Sequence, residues 1–177
     1  MALEIQKDLG ENQVILLVIP KLNYSAVLLE VIRELEKKYG KVGYITLNKP
    51  YTSVIDGLVK NKIDQKKFFF IDTLTSGIKK PEPADNCIFV SAPNALTELS
   101  IAFSRAMIDV GCEAAVFDSL STMLVYEGAH SIIQFAHQLI TKTRVAGKNI
   151  VFISLKEDTG SELIKDLYMF VDKAIEV

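Results

Sequence analysis

The stretch spanning residues 14–35, VILLVIPKLNYSAVLLEVIREL, limits what this chain can fold into more than any other. Residues 14–20 are apolar almost throughout and too few for a helix, so they read as a strand covered on both faces, as inside a parallel sheet. A helix follows at once over residues 24–39. Its apolar side chains at Tyr24, Leu28, Val31, Ile32 and Leu35 share one face, Arg33, Glu34, Lys37 and Lys38 lie opposite, and Gly40 supplies the stop. Between strand and helix stand Pro20, Lys21, Leu22, Asn23, Tyr24 and Ser25, where many strand-loop-helix proteins hold a phosphate. Such a cradle needs glycines, because backbone N–H groups must converge on the anion at positive φ, and usually a lysine beside a Ser or Thr. This junction contains no glycine.

The same alternation runs down the chain. Residues 1–13 are polar and close on a turn at Gly10, Glu11 and Asn12. Residues 41–47 form a β-branched and aromatic strand, broken by Asn48, Lys49 and Pro50 before a helix over 52–61. A short strand at 68–71 ends at Asp72, and residues 73–85, with two prolines and a glycine, read as loop. Further strands are expected at 87–90, at 114–117 ending on Asp118 and Ser119, and at 149–154, with an edge strand at 174–177. Between them come a helix from Pro93-Asn94 to Gly111, a long one over 128–145 closed by Ala146-Gly147, and one over 161–170. There is no internal repeat. The pattern predicts one α/β domain: a mostly parallel sheet, right-handed crossovers and helices on both faces.

Composition narrows the function classes. With 177 residues, 49% of them hydrophobic and 24% charged, the chain can bury a core of its own. A formal net charge of −2 gives no broad electrostatic footprint for nucleic acid or anionic membrane. No apolar run approaches the roughly 18 residues of a membrane span. The N-terminus lacks the basic-then-apolar order of a secretory signal, so a cytoplasmic protein is expected. Cys87 and Cys112 have no second ligand at metal spacing and read as buried free thiols. His130 and His137, seven apart, are not an i, i+4 metal pair. Asp56, Asp64 and Asp72 show no acid-base spacing, and Phe68 to Phe70 read as core rather than as a stacking platform.

In a parallel sheet, function gathers at the carboxyl ends of the strands. Here those ends supply Pro20 to Ser25, Asn48, Asp72, Asp118, Ser119 and Ser154. Three of them carry a resemblance. A first strand entering a helix through a would-be phosphate loop, the strand GYITLN at 43–48, and AAVFDSLS at 114–121 together resemble the RecA superfamily, a P-loop NTPase type, and most closely its KaiC-like branch. AAVFDSLS is similar to the Walker B strand, whose Asp orders magnesium through water. GYITLN resembles the strand that in active relatives ends on a glutamate and activates the attacking water.

The departures from that pattern shape the functional expectation. Laid onto GxxxxGK[ST], Val18 replaces the first glycine, Asn23 the second and Tyr24 the lysine, and only Ser25 fits. Lys21 could swing in from the loop. Asn48 can orient a water but cannot accept its proton at neutral pH. Asp118 is retained, either as a ligand contact or as a carboxylate that caps the following turn or hydrogen-bonds Ser25, with Ser119 and Ser121 serving the same turn.

A vestigial nucleotide site is therefore expected at Lys21, Asn23, Tyr24, Ser25, Asn48, Asp118 and Ser119, with no catalytic residue, metal or cofactor. The favoured reading is an inactive domain that works by binding a protein partner. The alternative is weak binding of ATP and magnesium at a rebuilt site made from Lys21, Ser25 and Asp118. A homo-oligomer stays open, because active relatives form rings with nucleotide between subunits. DNA binding is disfavoured, since residues 119–133 contain no Lys or Arg.

Overall fold

A computed structural model of the chain describes residues 5–177; the first four residues of the polar N-terminal stretch lie outside the described residues. Seven strands form one sheet: β1 (Val14–Ile19), β2 (Val42–Thr46), β3 (Phe68–Asp72), β4 (Cys87–Phe89), β5 (Ala114–Asp118), β6 (Asn149–Leu155) and β7 (Lys173–Glu176). Their order is β4-β3-β2-β5-β6-β1-β7, and every pairing is parallel. β1 is buried at every position because it has a strand on each side and a helix layer on each face.

The chain moves outward from β1 to β4 and then back from β4 to β7, so right-handed crossovers put the two sets of helices on opposite faces. On one face lie α1 (Ile5–Glu11), α2 (Tyr24–Lys38) and α3 (Tyr51–Lys60), whose apolar side chains meet Ile15, Leu17 and Ile19. On the other lie α4 (Leu96–Ser104), continued by a π-helical turn at Arg105–Asp109, with α5 (Leu120–Met123), α6 (Ala129–Val145) and α7 (Glu162–Leu167) against Val14, Leu16 and Val18. The period of two along β1 thus serves two separate cores. Gly111 (φ 80°) and Gly147 (φ 65°) end the α4 and α6 segments in the left-handed region that the expected stops require.

The structure corrects the expectation at two places. The segment expected to be a polar turn before β1 is the helix α1, anchored by Ile5 and Leu9, which lie one helical turn apart and are buried. Directly after β5 stands the short helix α5, absent from the sequence reading. The loop at 73–85 holds one 3-10 turn, Thr75–Gly77, and β7 is the expected edge strand. Phe68 and Phe70 are core residues, as are both cysteines. Burial pushes the Cys87 thiol up to about 12 and Cys112 up to about 11. No helix among the described residues is long and apolar enough to cross a membrane.

Candidate functional site at the strand ends

β2 and β5 are neighbours in register, with Thr46 opposite Asp118, and the Leu47 N–H donates to the Asp118 carbonyl at 2.8 Å. This places the residue after the β2 turn beside the carboxylate that ends β5. The Thr46 hydroxyl holds that turn by donating to the Lys49 carbonyl at 2.6 Å. Asn48 is thereby fixed over Asp118. From the other direction, α2 begins at Tyr24 directly after a 3-10 turn, Lys21–Asn23, and projects its phenol across the strand ends to the same carboxylate.

Asp118 is the hub. Its Oδ1 accepts from the Tyr24 hydroxyl and from Asn48 Nδ2 (2.6 Å), and its Oδ2 accepts from the Tyr44 hydroxyl at 2.8 Å. Asn48 is held at its other end, where Oδ1 accepts from the Thr122 hydroxyl. That hydroxyl lies 2.9 Å from Ser119 Oγ, which also accepts the Thr122 N–H and so caps α5. The result is a closed relay of side chains drawn from β2, α2, β5 and α5. Asp118 is 4% exposed, and burial pushes its carboxyl above the usual range although three donors and the charge of Lys49 pull the other way. The Tyr24 and Tyr44 phenols are raised as well, first by burial and then by the neighbouring carboxylate, which keeps them protonated donors.

Of the residues expected from sequence, Asn48, Tyr24, Asp118 and Ser119 come together. Lys21, Asn23 and Ser25 do not. Ser25 is exposed and makes no hydrogen bond to Asp118, so the expected Ser25 contact is corrected: Tyr24, one residue earlier, reaches the carboxylate instead. The turn-capping role assigned to Asp118 belongs to Ser119, and Ser121 instead meets Ser154 Oγ at 2.9 Å and accepts the Leu155 N–H at 2.8 Å.

The β1–α2 junction is occupied by its own contacts. The Lys21 N–H donates to the Glu157 carboxylate at 3.1 Å, the Asn23 N–H to the Pro20 carbonyl at 2.9 Å, and the Tyr24 N–H to the Lys21 carbonyl. The Lys21 side chain is exposed. Tyr44 escaped the sequence reading because it sits within an apolar strand, yet a tyrosine there signals a buried hydroxyl in need of a partner. Among the described residues, no group of three or more His, Cys, Asp or Glu is placed to hold a metal ion.

Alongside this network a groove of about 370 Å³ runs between α2 and α3, lined mainly by apolar side chains and ending on Tyr24, Asn48 and Asp118.

The all-parallel seven-stranded sheet with helices on both faces matches a RecA-like α/β fold. The chain is similar over 93% of its length to the crystal structure of the KaiC-like protein PH0186 from the hyperthermophilic archaeon Pyrococcus horikoshii OT3, with a TM-score of 0.65, 12% sequence identity and 71% of that chain covered. At that identity the likeness is one of fold. Residues 61–177 match a family of unknown function, DUF7504, and the chain belongs to that family. No curated protein matches its sequence.

Proposed function

We propose that this chain is a RecA/KaiC-like domain without ATPase activity that works by binding a protein partner. The observation that carries the reading is the relay on Asp118. In a magnesium-nucleotide site this carboxylate has to face the ion's water shell, but here its oxygens take donors from Tyr24, Tyr44 and Asn48. Tyr24 stands where a lysine would meet the β- and γ-phosphates, and Asn48 stands where a glutamate would take the proton of the attacking water.

The remaining residues do not fit magnesium and ATP either. Val18, in place of a cradle glycine, is a fully buried strand residue paired with Ser154 and Glu176. The Lys21 N–H at the junction is already bonded to an internal carboxylate, Glu157. A rebuilt site would need Lys21, Ser25 and Asp118 to converge, yet Lys21 and Ser25 are exposed and neither hydrogen-bonds Asp118.

Apolar surface supports the partner-binding half of the reading. Ile108 and Val145, 68% and 84% exposed, border a groove between the π-helical turn and α6 that is also lined by the buried Met107. The near-neutral balance of charge argues for a protein rather than a nucleic acid or membrane surface. A phosphate-release assay on the purified chain with Mg-ATP tests the catalytic half. Release should equal background; turnover that disappears in Asp118→Ala would overturn the proposal.

A further inference from the structure

The α2–α3 groove reads as a binding site in its own right. Leu28, Leu29 and Ile32 of α2 face Val54 and Leu58 of α3 above Tyr44. At one end stand Tyr24, Asn48 and Asp118; toward the other, the Arg33 guanidinium ties the helices by donating to the Asn61 carbonyl at 2.8 Å. A pocket of this volume, mainly apolar with a few polar groups in its lining, is the usual form of a small-molecule site.

Gly57 supplies an independent observation. It lies within α3, where glycine weakens a helix, and it lines the groove. No close packing requires it, since a Cβ there would meet nothing within 4 Å. What the missing side chain does is keep the wall of the groove open.

The end wall indicates the head group. An ionised carboxylate offers about four acceptor sites, and among the described residues three donors reach Asp118, two on Oδ1 and one on Oδ2. Asp118 forms no ion pair among the described residues. A cation arriving there would meet a buried carboxylate held only by neutral donors, whereas an anion would be repelled. Lys49 also lines the mouth but is exposed to water, so it gives an anionic head little in return.

We propose that the groove binds a small amphipathic amine, its apolar body between Leu28, Leu29, Ile32, Val54 and Leu58 and its ammonium donating to Asp118. The volume of about 370 Å³ favours a compact ligand over a helix lying through the groove. This goes beyond the pseudo-ATPase reading and does not depend on it, because no part of it involves nucleotide.

The test is amide NMR titration of the full chain with hexylammonium, hexanol and hexanoate, which share a body and differ in head. Hexylammonium should give saturable shifts confined to α2, α3 and the strand ends, and bind roughly tenfold more tightly than hexanoate, as expected for one hydrogen bond to a charged group. Asp118→Asn should remove that head preference. Gly57→Leu, which fills the groove, should abolish binding while retaining a cooperative melt. Should that variant fail to fold, the head-group series on the native protein still decides. Equal affinity for the three probes, shifts scattered away from the groove, no saturation, or undiminished binding by folded Gly57→Leu would overturn the inference; hexanoate binding more tightly than hexylammonium would do so as well.

Discussion

Asp72 and Asp118 end two strands of the same sheet, β3 and β5, and both are buried, yet they are held in different ways. Asp72 accepts from fixed donors close to it in the chain or at a helix start: the N–H groups of Leu74 (2.7 Å), Thr75 (2.9 Å) and Tyr51 (2.8 Å), and the Thr75 hydroxyl (2.6 Å). It ties the β3 turn to the first turn of α3. Among the described residues Asp118 accepts only from side chains, and these come from residues as distant as Tyr24. Backbone donors exist whatever the side chains are; side-chain donors exist only because particular residues were placed there. Asp72 is thus explained by the fold alone. Asp118 depends on the identities of Tyr24, Tyr44 and Asn48, which is why it marks the candidate site.

Asparagine substitutions separate the two most sharply. In Asp72→Asn, an amide NH2 must face backbone N–H groups that cannot turn away, so stability should fall by about 2–4 kcal/mol. Urea denaturation measures it. In Asp118→Asn the hydroxyls of Tyr24 and Tyr44 can rotate to accept, and the cost of a buried charge is removed, so the loss should be about 1 kcal/mol. Equal losses would erase the contrast.

A smaller effect concerns pH. Because burial raises the Asp118 carboxyl in the folded state, the protonated group favours folding. Its contribution is fully present below the unfolded Asp value of about 3.9 and is lost as pH rises through the folded value. The phenols facing it, Tyr24 and Tyr44, are raised by burial and stay protonated across that range, and Asn48 carries no charge to change. The destabilisation caused by Asp118→Asn should therefore be larger at pH 3.5 than at pH 8, measured as the difference between variant and native unfolding curves. A difference growing toward pH 8 would mean that the three donors outweigh burial.

The sheet was legible because β1, β5 and β6 are mostly apolar runs, β2 is rich in β-branched and aromatic residues, and the crossover helices carry period-3.6 faces. α1 was not, although Ile5 and Leu9 at i, i+4 were a trace of it: a seven-residue helix with Gly10 next to its last residue and polar residues after it looks like a turn. α5 spans four residues, too few to display a period. At the site, Tyr24, Asn48 and Asp118 were visible one by one through a family pattern. Their convergence was not, because it depends on β2 lying beside β5 and on the direction α2 takes out of its 3-10 turn. Ser25 was the reverse case, matching the pattern by position while its side chain faces solvent.

The relay on Asp118 is the centre of the functional account, and the thermal melt of the native chain with and without excess Mg-ATP tests it most directly. A nucleotide present at 100 times its dissociation constant would add about 2.7 kcal/mol of stability. The account predicts no shift beyond that given by magnesium alone. A clear rise in Tm with Mg-ATP, absent in Asp118→Ala, would show that the carboxylate leaves its tyrosine and asparagine partners for a metal-nucleotide complex, and the reading of a closed site would be wrong.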